Sequence, residues 1–446
     1  MLRREALGIA ALSAANVMGA NDRVRMGLIG CGGRGRYVSR LMKEAPGVEF
    51  VGVADVYETN ANSAREWAGG ACEAYGDFRR LLDRKDIDAV LVATPDHWHA
   101  AATVLTCASG KDVYTEKPLS HNIREGRAMV QAARRYNRIA QAGMQHRSSP
   151  HFAEAAELVQ SGKLGKVHFV RVWNYINMIP RGIGRSLDEP APSGLNWDMY
   201  CGPAPLAPYN RKRFLSTYRW FWDYSGGYIT DYGTHRLDTV HQIMGVDAPR
   251  TAVATGGRFA LADAGEMPDV LTVTYEYPGF VMIYEGINVN GLGMGIRTPG
   301  MRYYNARGPL DRPNGMAFYG TNGTLLADRV GYEVLPEMSA SGWPPAASGE
   351  AEFRMERRQM NTTDATGLHA RSFIECVRSR KRPAADIEAG HRSTIIPHLG
   401  NISYKTGLKL KWDSVREDFD NQPEATKLLG RTQRKPWDLI ALTPLP

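Results

Sequence analysis

Residues 24–55 read VRMGLIGCGGRGRYVSRLMKEAPGVEFVGVAD. A short apolar run leads into the glycine-rich turn 30–35, which has the pattern G-x-G-x-x-G, and a second apolar run, 48–54, ends at Asp55. An apolar strand, a glycine turn, a helix, a second strand and an acid, in this order and at this spacing, are typical of a βαβ unit that binds a dinucleotide.

The residue types of this unit suit that ligand. Glycine at 30 allows a tight turn, glycine at 32 lets backbone N–H groups approach a pyrophosphate, and glycine at 35 lets the next helix pack closely on the sheet. The carboxylate of Asp55 can accept hydrogen bonds from the adenosine ribose but would repel a 2′-phosphate, so the sequence favours NAD over NADP. A guanidinium from Arg34 could also hold phosphate, which keeps NADP open. The candidate cofactor residues in this unit are Gly30, Gly32, Gly33, Arg34, Gly35 and Asp55.

Strand-like and helix-like segments alternate up to residue 145. The predicted strands are 26–29, 48–54, 87–93, 111–114 and 139–145, and the predicted helices after the first βαβ unit are 60–67, 78–83, 97–109 and 123–136. This alternation predicts an α/β fold with a doubly wound parallel sheet, the Rossmann arrangement. We therefore assign residues 22–147 to an NAD-binding domain.

The pattern changes from residue 148 onward. Helices are predicted at 152–161, 369–380 and 390–406, and strands at 167–177, 250–258, 270–277, 280–287, 316–319 and 324–327. These strands predict a largely antiparallel sheet with one exposed face, which argues against a monomer. Residues 180–218 are rich in Pro, Gly, Arg and Tyr and are interpreted as a long surface excursion.

The first twenty residues resemble an export signal. Arg3 and Arg4 precede an apolar run at 6–15, a pattern typical of a twin-arginine leader, and the run is too short to span a bilayer. A leader over residues 1–20 would send the folded protein to the periplasm or another exported location. An ordinary N-terminal extension is the alternative, and the protein would then be cytoplasmic. Neither interpretation includes stable membrane insertion.

Composition narrows the classes of partner. The chain has 446 residues, enough for two domains or more, and a formal net charge of +8 without a basic arm or a basic patch interleaved with aromatics. We therefore predict no nucleic-acid partner. The five cysteines are scattered and lack C-x-x-C spacing, so we expect thiols rather than a disulfide framework, and no metal site.

Two stretches carry candidate catalytic groups. Glu116-Lys117-Pro118 follows a predicted parallel strand, at the edge where open α/β sheets bind ligands, and Lys117 there could donate a proton or hydrogen bond to a substrate oxygen. If 226–238 is helical, Asp231 and His235 are one turn apart and could form an acid/base pair in which the carboxylate orients the imidazole. A surface Lys-Pro turn and a core-facing helix with one buried histidine are the alternatives.

Two further stretches are less specific. His97 and His99 alternate at a helix start and do not face one another, so a contact from His99 to the cofactor edge is favoured over a shared metal ion. The aromatic run at 218–224 would suit stacking on a sugar, or it could be a hydrophobic plug.

Five motifs in order carry a family resemblance. They are Gly30-x-Gly32-x-x-Gly35, Ala93-Thr94-Pro95-x-x-x-His99, Glu116-Lys117-Pro118, Gly143-x-Gln145-x-Arg147 and Asp231-x-Gly233-x-His235. Together they resemble the glucose–fructose oxidoreductase and inositol dehydrogenase (Gfo/Idh/MocA) family over about residues 22–410. The resemblance implies a second, α/β domain over 148–410 that binds substrate and forms homo-dimers or homo-tetramers through a large, mostly antiparallel open sheet. Residues 411–446 would be a C-terminal tail.

The resemblance also implies roles for single residues. Lys117 matches the catalytic lysine of the family, Asp231 and His235 match its acid/base pair, and Asp55 matches its ribose-binding acid. The further cofactor contacts that it implies are Thr94, Pro95, His99, Glu116, Lys117 and Gln145. The substrate contacts that it implies are Arg147, Tyr175, Trp222, Asp231 and His235. The insertion at 180–222 departs from compact inositol dehydrogenases and leaves the substrate open.

Three functions follow as hypotheses. The first is an NAD-dependent oxidoreductase acting on a sugar or sugar-like polyol, with NAD as cofactor and a small carbohydrate as substrate. The sequence is also similar to the family's glycosidase branch, glycoside hydrolase family 109, in which the resemblance implies transient oxidation, elimination, hydration and re-reduction on bound NAD. A non-catalytic sugar or nucleotide sensor is the third hypothesis, and the intact Lys117, Asp231 and His235 argue against it.

Overall fold

The computed structural model describes residues 23–290, 314–338, 352–362 and 365–440. The predicted export signal at 1–20 lies outside the described residues. Within these ranges no helix combines the length and the apolar character that a membrane crossing needs.

The first domain is built on a six-stranded parallel sheet. Its strands are β1 (Val24–Ile29), β2 (Val48–Ala54), β3 (Glu73–Tyr75), β4 (Ala89–Val92), β5 (Asp112–Thr115) and β6 (Ala140–Ala142). They lie in the order β3-β2-β1-β4-β5-β6, and every neighbouring pair is parallel. The predicted doubly wound sheet is confirmed. Because the order reverses between β1 and β4, the carboxyl ends of these strands open a crevice at the switch point.

Helices cover both faces of this sheet. They are α1 (Gly33–Lys43), α2 (Glu58–Ala68), α3 (Phe78–Leu82), α4 (Asp96–Ala108) and α5 (Ile123–Arg135). The helices on both faces bury all four residues of strand β4. Val90 and Val92 pack on one face with α4, while Leu91 packs on the other with Val38 of α1. A strand covered on both sides is therefore apolar at every position.

The second domain contains a sheet of ten described strands. They are β7 (Phe169–Tyr175), β8 (Thr251–Gly257), β9 (Val270–Tyr277), β10 (Phe280–Ile287), β11 (Asn314–Tyr319), β12 (Gly323–Asp328), β13 (Gly331–Pro336), β14 (Arg358–Asn361), β15 (Leu410–Asp413) and β16 (Asp418–Phe419). Their order is β14-β13-β12-β11-β7-β10-β9-β8-β15-β16. The β7–β10 pair is parallel and the other pairs are antiparallel, which confirms the predicted large, mostly antiparallel sheet.

Helices lie against one face of this second sheet. The remaining helices are α6 (Pro150–Gln160), α7 (Trp197–Cys201), α8 (Thr234–Met244), α9 (Thr366–Ser379), α10 (Ile387–Thr406) and α11 (Pro423–Thr426). Phe152 of α6, Leu237 of α8 and Ile396 of α10 share one core with the strands of this sheet. Strand β9 alternates buried and half-buried residues, so the opposite face is partly open to solvent. The homo-oligomer that this face predicts remains a prediction.

The segment after residue 410 is not a separate tail. Strand β15 pairs with β8, with Leu410 opposite Ala252, and therefore extends the large sheet. Further along, the Trp437 ring packs edge-on against the Trp98 ring of α4, with ring centroids 5.6 Å apart. Residues on the C-terminal side of 410 therefore contact both domains, and the expected boundary at 411 stays a prediction.

One helix crosses the expected domain boundary in the other direction. Helix α9 lies between the strands of the second domain in sequence, but Phe373 and Ile374 pack with Met26 and Leu28 of β1. The amphipathic pattern predicted the helix but could not show which sheet it covers.

Candidate active site

A cleft of about 820 Å³ lies where the carboxyl ends of the first sheet face the second domain. One wall is formed by the glycine turn, Asp55, the Thr94-Pro95 loop and the Glu116-Lys117 pair. The facing wall is formed by parts of segment 199–219 and by residues around α8. The cleft is therefore continuous from the predicted cofactor residues to the predicted catalytic residues.

The glycines hold the turn as the sequence predicted. Gly30 has φ +87°, and a Cβ there would lie 2.6 Å from the carbonyl carbon of Ala93. A Cβ on Gly35 would collide with the carbonyl oxygen of Gly30, so this glycine lets α1 pack against the turn. Gly32 and Gly33 line the cleft, and a Cβ on either would meet no atom within 4 Å in the described part of the chain. Helix α1 begins at Gly33 without a side-chain cap, so its first N–H groups face the cleft.

The carboxylate of Asp55 is fixed by the backbone on both sides. Cys31 donates its N–H to Oδ2 at 2.7 Å, and Tyr57 donates its N–H to Oδ1 at 2.9 Å. Burial raises the pKa of Asp55, while these two hydrogen bonds act in the opposite direction. The group lines the cleft beside Arg36 and Asn60, which is the place expected for a ribose-binding acid.

Arg34 is tied to the neighbouring motif. Its Nε donates to Oε1 of Glu116 at 2.8 Å, and the Lys117 backbone N–H lies 3.3 Å from Oε2 of the same carboxylate. Arg34 and Glu116 both line the cleft. The ion pair therefore joins the glycine turn to the strand end that carries Lys117.

Five of the six further cofactor contacts that the resemblance implies line the cleft, and one does not. Thr94, Pro95 and Gln145 form part of the lining, as do Glu116 and Lys117. His99 is fully buried behind it, with Nδ1 2.7 Å from the carbonyl oxygen of Pro118 and Nε2 2.9 Å from that of Thr94. The His99 ring lies outside the lining of the cleft and bridges the loops at Thr94 and Pro118, and its contact with the cofactor stays a prediction.

Lys117, Asp231 and Arg219 form a buried charged cluster. The Lys117 ammonium contacts Oδ1 of Asp231, and the Arg219 Nε lies 2.8 Å from Oδ2. Burial alone would raise the pKa of Asp231, but the two cations more than offset it, and the net pKa is lowered. Asp231 is therefore a carboxylate that holds two cations at the edge of the cleft.

Asp231 and His235 share the cleft but not a hydrogen bond. The chain forms a π-helical turn at Ile229–Gly233 before α8 begins at Thr234, and π turns occur often at functional sites. Both oxygens of Asp231 point to Lys117 and Arg219. The predicted pair, in which the carboxylate orients the imidazole, is corrected, because the two cations compete more strongly for the carboxylate than a neutral ring.

His235 is a neutral imidazole in this setting. Its ring is buried beside the His146 ring, with centroids 5.1 Å apart, and its Nδ1 has no hydrogen-bond partner among the described residues. Burial, followed by the charges of Arg329 and Lys117, holds the pKa of His235 well below its usual range. The ring is therefore deprotonated at neutral pH and able to accept a proton.

Three predicted substrate contacts lie outside the cleft. Arg147 donates from Nε to Oδ1 of the buried Asp238 at 2.7 Å, within the second domain. Tyr175 lies on the partly open face of the large sheet, where its hydroxyl contacts Glu285. Trp222 lies under the ammonium of Lys405, 3.7 Å from the ring centroid. The contacts of these three residues with a substrate stay predictions, because none of their side chains lines the cleft.

The sequence interpretation missed two cations at the substrate end of the cleft, Arg219 and Arg329, as well as Arg36 beside Asp55. Arg219 lies in the aromatic run that the sequence singled out, but that run was interpreted for its rings alone. Arg329 lies in the turn between β12 and β13, and no motif marks it. Both line the cleft near Asp231 and Tyr232.

The predicted surface excursion forms a wall of the cleft. The Asn196 N–H donates to the Val56 carbonyl at 2.9 Å, and the Glu58 N–H donates to the Gly194 carbonyl at 2.8 Å, directly after Asp55. The Trp98 indole donates to the Met199 carbonyl at 3.0 Å. The segment therefore closes over the first domain beside the ribose-binding acid, which corrects its interpretation as a free surface loop.

Residues 24–144 match the oxidoreductase family with an NAD-binding Rossmann fold, Gfo/Idh/MocA, and residues 157–305 and 354–439 match the C-terminal α/β domain of the same family. The chain belongs to the Gfo/Idh/MocA oxidoreductase family. The first domain of this oxidoreductase is thus an NAD-binding domain.

Relatives of known activity span nearly the whole chain. The scyllo-inositol 2-dehydrogenase (NAD(+)) of Bacillus subtilis is 24% identical over 404 residues, which cover 88% of this chain and 98% of the relative. The myo-inositol 2-dehydrogenase of Thermotoga maritima is 23% identical over 393 residues, covering 88% and 99%. A structure of levoglucosan dehydrogenase with NADH and levoglucosan has a TM-score of 0.62 at 18% identity, covering 87% of this chain and 99% of that one.

The cleft fits NAD. Gly32 and Gly33 leave room beside the uncapped start of α1, where a pyrophosphate binds in folds of this kind. Asp55 would hold the adenosine ribose, and its charge disfavours a 2′-phosphate. The Arg34 Nε is engaged by Glu116. The candidate anion site, the candidate ribose acceptor and the candidate catalytic groups therefore lie along one cleft.

Proposed function

We propose that this oxidoreductase oxidises or reduces a sugar or a sugar-like polyol. One observation carries the proposal, namely that Lys117, Asp231 and His235 line the same cleft as the glycine turn and Asp55. Groups that can move a proton and hold an alkoxide therefore face the site where a nicotinamide would accept or return hydride, which is the chemistry that NAD supplies.

His235 would act as the general base in the oxidative direction. Its neutral ring can take the proton of a substrate hydroxyl as the C–H bond of the same carbon breaks. His235 lines the cleft, so its ring can approach a substrate hydroxyl, while Nδ1 itself is buried and has no hydrogen-bond partner among the described residues. The reverse transfer would protonate the product alkoxide during reduction.

Lys117 would stabilise the developing alkoxide. Its ammonium is held in place by Asp231, which Arg219 holds from the other side. A preorganised cation can favour the charge that develops in the transition state. Asp231 therefore acts on the position of Lys117 rather than on the imidazole of His235.

The relatives support a polyhydroxylated substrate. Two are inositol dehydrogenases, and a structural neighbour is a levoglucosan dehydrogenase with its sugar bound.

We also propose export of the folded protein through the leader at 1–20, and a homo-dimer or homo-tetramer formed through the open sheet face. Cell fractionation with sequencing of the mature N-terminus tests the first, and light scattering tests the second.

The test of the activity is spectroscopic. Purified protein is mixed with a panel of sugars, polyols and nitrophenyl glycosides, without and then with added NAD, while absorbance in the reduced-nicotinamide band is recorded. Lys117→Ala and His235→Gln should each lower the rate by at least about 100-fold, the usual scale for loss of an acid/base group. The exposed Lys163 and His168 supply matched controls, Lys163→Ala and His168→Gln, which should keep the wild-type rate.

The outcomes separate three functions. Reduction of NAD that continues while NAD is supplied supports the proposed oxidoreductase. Steady nitrophenol release without net reduction would move the protein to a redox-neutral glycosidase. Sugar binding without reduction or release, unchanged in the two variants, would indicate a sensor.

A further inference from the structure

The substrate end of the cleft carries more positive charge than Asp231 can balance. Lys117, Arg219 and Arg329 all line it, and Lys117 and Arg219 share the carboxylate of Asp231. Asp96 lies close enough to Arg219 to act on it electrostatically, but it is engaged by hydroxyl donors from Tyr218 and Ser225. Asp231 and Asp96 thus supply negative charge to Lys117 and Arg219, and neither carboxylate forms an ion pair with Arg329.

Arg329 has no carboxylate within 4 Å in the described part of the chain. Its Nε lies 3.3 Å from Nε2 of His146, and its guanidinium carbon lies 5.8 Å from the centroid of the Tyr232 ring. The His146 ring supplies no counter-charge, because burial, followed by the charges of Arg236 and Arg329, holds its pKa well below the usual range. A half-buried guanidinium without a counter-ion is costly unless a ligand supplies one.

Two hydrogen bonds to backbone groups of Val330 hold the turn that carries Arg329. The neighbouring carboxylate of Asp328 accepts the Val330 N–H at 2.8 Å, and the Val330 carbonyl accepts the Thr362 N–H at 3.0 Å. The positive charge of Arg329 is also one of the causes that lower the pKa of His235, the proposed general base. The guanidinium is therefore positioned beside the reacting groups and not at the glycine turn.

We propose that Arg329 determines substrate specificity by binding an anionic group, carboxylate or phosphate, on the sugar. The inference rests on the proposed function, which it deepens by naming the substrate class. A guanidinium can bind either group through two parallel N–H bonds. A sugar acid or sugar phosphate would place its anion on Arg329 and its reacting hydroxyl at His235.

The test measures binding apart from turnover. The NADH-loaded protein is titrated calorimetrically with glucose, glucuronate, glucose 6-phosphate, galactose and galacturonate. At least one anionic sugar should bind 10-fold or more tightly than its neutral parent, and the better of glucuronate and glucose 6-phosphate identifies the anion. Arg329→Gln should remove that preference while the Kd values of neutral sugars and NAD change less than 2-fold. Arg329→Lys should keep part of the preference.

The exposed Arg358 of β14 supplies a control of equal charge change, Arg358→Gln, which should keep the preference. Equal affinity for anionic and neutral sugars would overturn the proposal. An equal loss of both in Arg329→Gln would also overturn it, because Arg329 would then act only by holding His146. Failure of the proposed function is distinct, since an anionic sugar that binds through Arg329 but never reduces NAD supports this inference and contradicts the proposed oxidation of that sugar.

Discussion

The Nε of Arg219 lies 2.8 Å from Oδ2 of Asp231, whose other carboxylate oxygen contacts Lys117. The pair connects the inserted segment to the first turn of the helical element that carries His235. A side chain from a region without a motif thus helps to hold the proposed catalytic lysine.

Replacing Arg219 should impair catalysis more than cofactor binding. Arg219→Gln removes a charge-assisted contact worth roughly 1.5–3 kcal/mol, so kcat/KM should fall by about 10- to 100-fold while the Kd of NAD stays unchanged. Steady-state kinetics and NAD titration measure the two quantities. Arg211 in the same insertion forms an exposed ion pair with Glu189 at 2.6 Å, and Arg211→Gln should change neither. Equal losses in both variants would contradict a role for Arg219 at Asp231.

Asp231→Asn should be the more damaging change at this pair. The variant leaves Lys117 and Arg219 without their shared anion, which costs about 3–5 kcal/mol when a buried ion pair loses one partner. Chemical denaturation measures the free energy of unfolding, and activity should fall with it. A variant of wild-type stability and activity would show that the cluster has no energetic role.

Buried histidines should make stability depend on pH. Burial lowers the pKa of His97 and His241 to about 3, and of His369 and His398 to about 4. The unfolded chain takes up these protons near pH 6.5 but the folded chain does not, so the stabilisation is complete above pH 6.5 and is lost as pH falls toward 4. Each such histidine should lower the free energy of unfolding by up to about 1.4 kcal/mol for each pH unit between pH 6.5 and pH 4.

Thermal unfolding between pH 8 and pH 5 tests this expectation. The melting temperature should be nearly constant above pH 7 and should fall steeply below pH 6.5. His241 contacts the Tyr277 hydroxyl through Nε2 at 2.9 Å. His241→Gln should reduce by about one the number of protons taken up on unfolding, so the melting temperature should still fall as pH falls, but less steeply. A melting temperature that rises as pH falls would show that the histidines are protonated in the folded state.

Two glycines of the same turn should respond differently to alanine. Gly30→Ala places a Cβ at φ +87°, 2.6 Å from the Ala93 carbonyl carbon, so the protein without NAD should melt at least about 5 °C lower. The methyl group of Gly32→Ala would meet no atom of the described residues within 4 Å, so the melting temperature should hold. The Kd of NAD should rise at least about 10-fold, because that methyl group would occupy the pyrophosphate site. Melting scans and fluorescence titration with NAD separate the two effects. Unchanged NAD affinity in Gly32→Ala would place the pyrophosphate elsewhere.

The choice between NAD and NADP should depend on Asp55. Asp55→Ser removes the charge that repels a 2′-phosphate and leaves Arg36 at the same end of the cleft, so NADP affinity should rise about 10-fold relative to NAD. The double variant with Arg36→Gln should lose that gain, because the guanidinium that would hold the phosphate is gone. Paired titrations with the two nucleotides give the ratio, and an unchanged ratio in Asp55→Ser would show that the ribose lies away from this carboxylate.

Much of the fold was predictable because long patterns specify backbone structure. Strands β2, β9 and β10 begin and end at the predicted residues, since each combines apolar runs or strict alternation with clear turns. Strands β3 and β13 to β16 were not predicted. They are short or polar, and pairing with a neighbouring strand makes them strands.

The motifs of the sequence pointed to the glycine turn, Asp55, Lys117, Asp231 and His235, and the structure brings these residues together along one cleft. Tertiary structure alone decided that Asp231 holds Lys117 and Arg219 rather than His235, that His99, Arg147, Tyr175 and Trp222 lie outside the cleft, and that Arg329 enters it. The physical reason is that local sequence sets the direction of the chain over a few residues. The partner of a side chain is set by elements that pack against it from distant parts of the sequence, where burial and charge select among competing contacts.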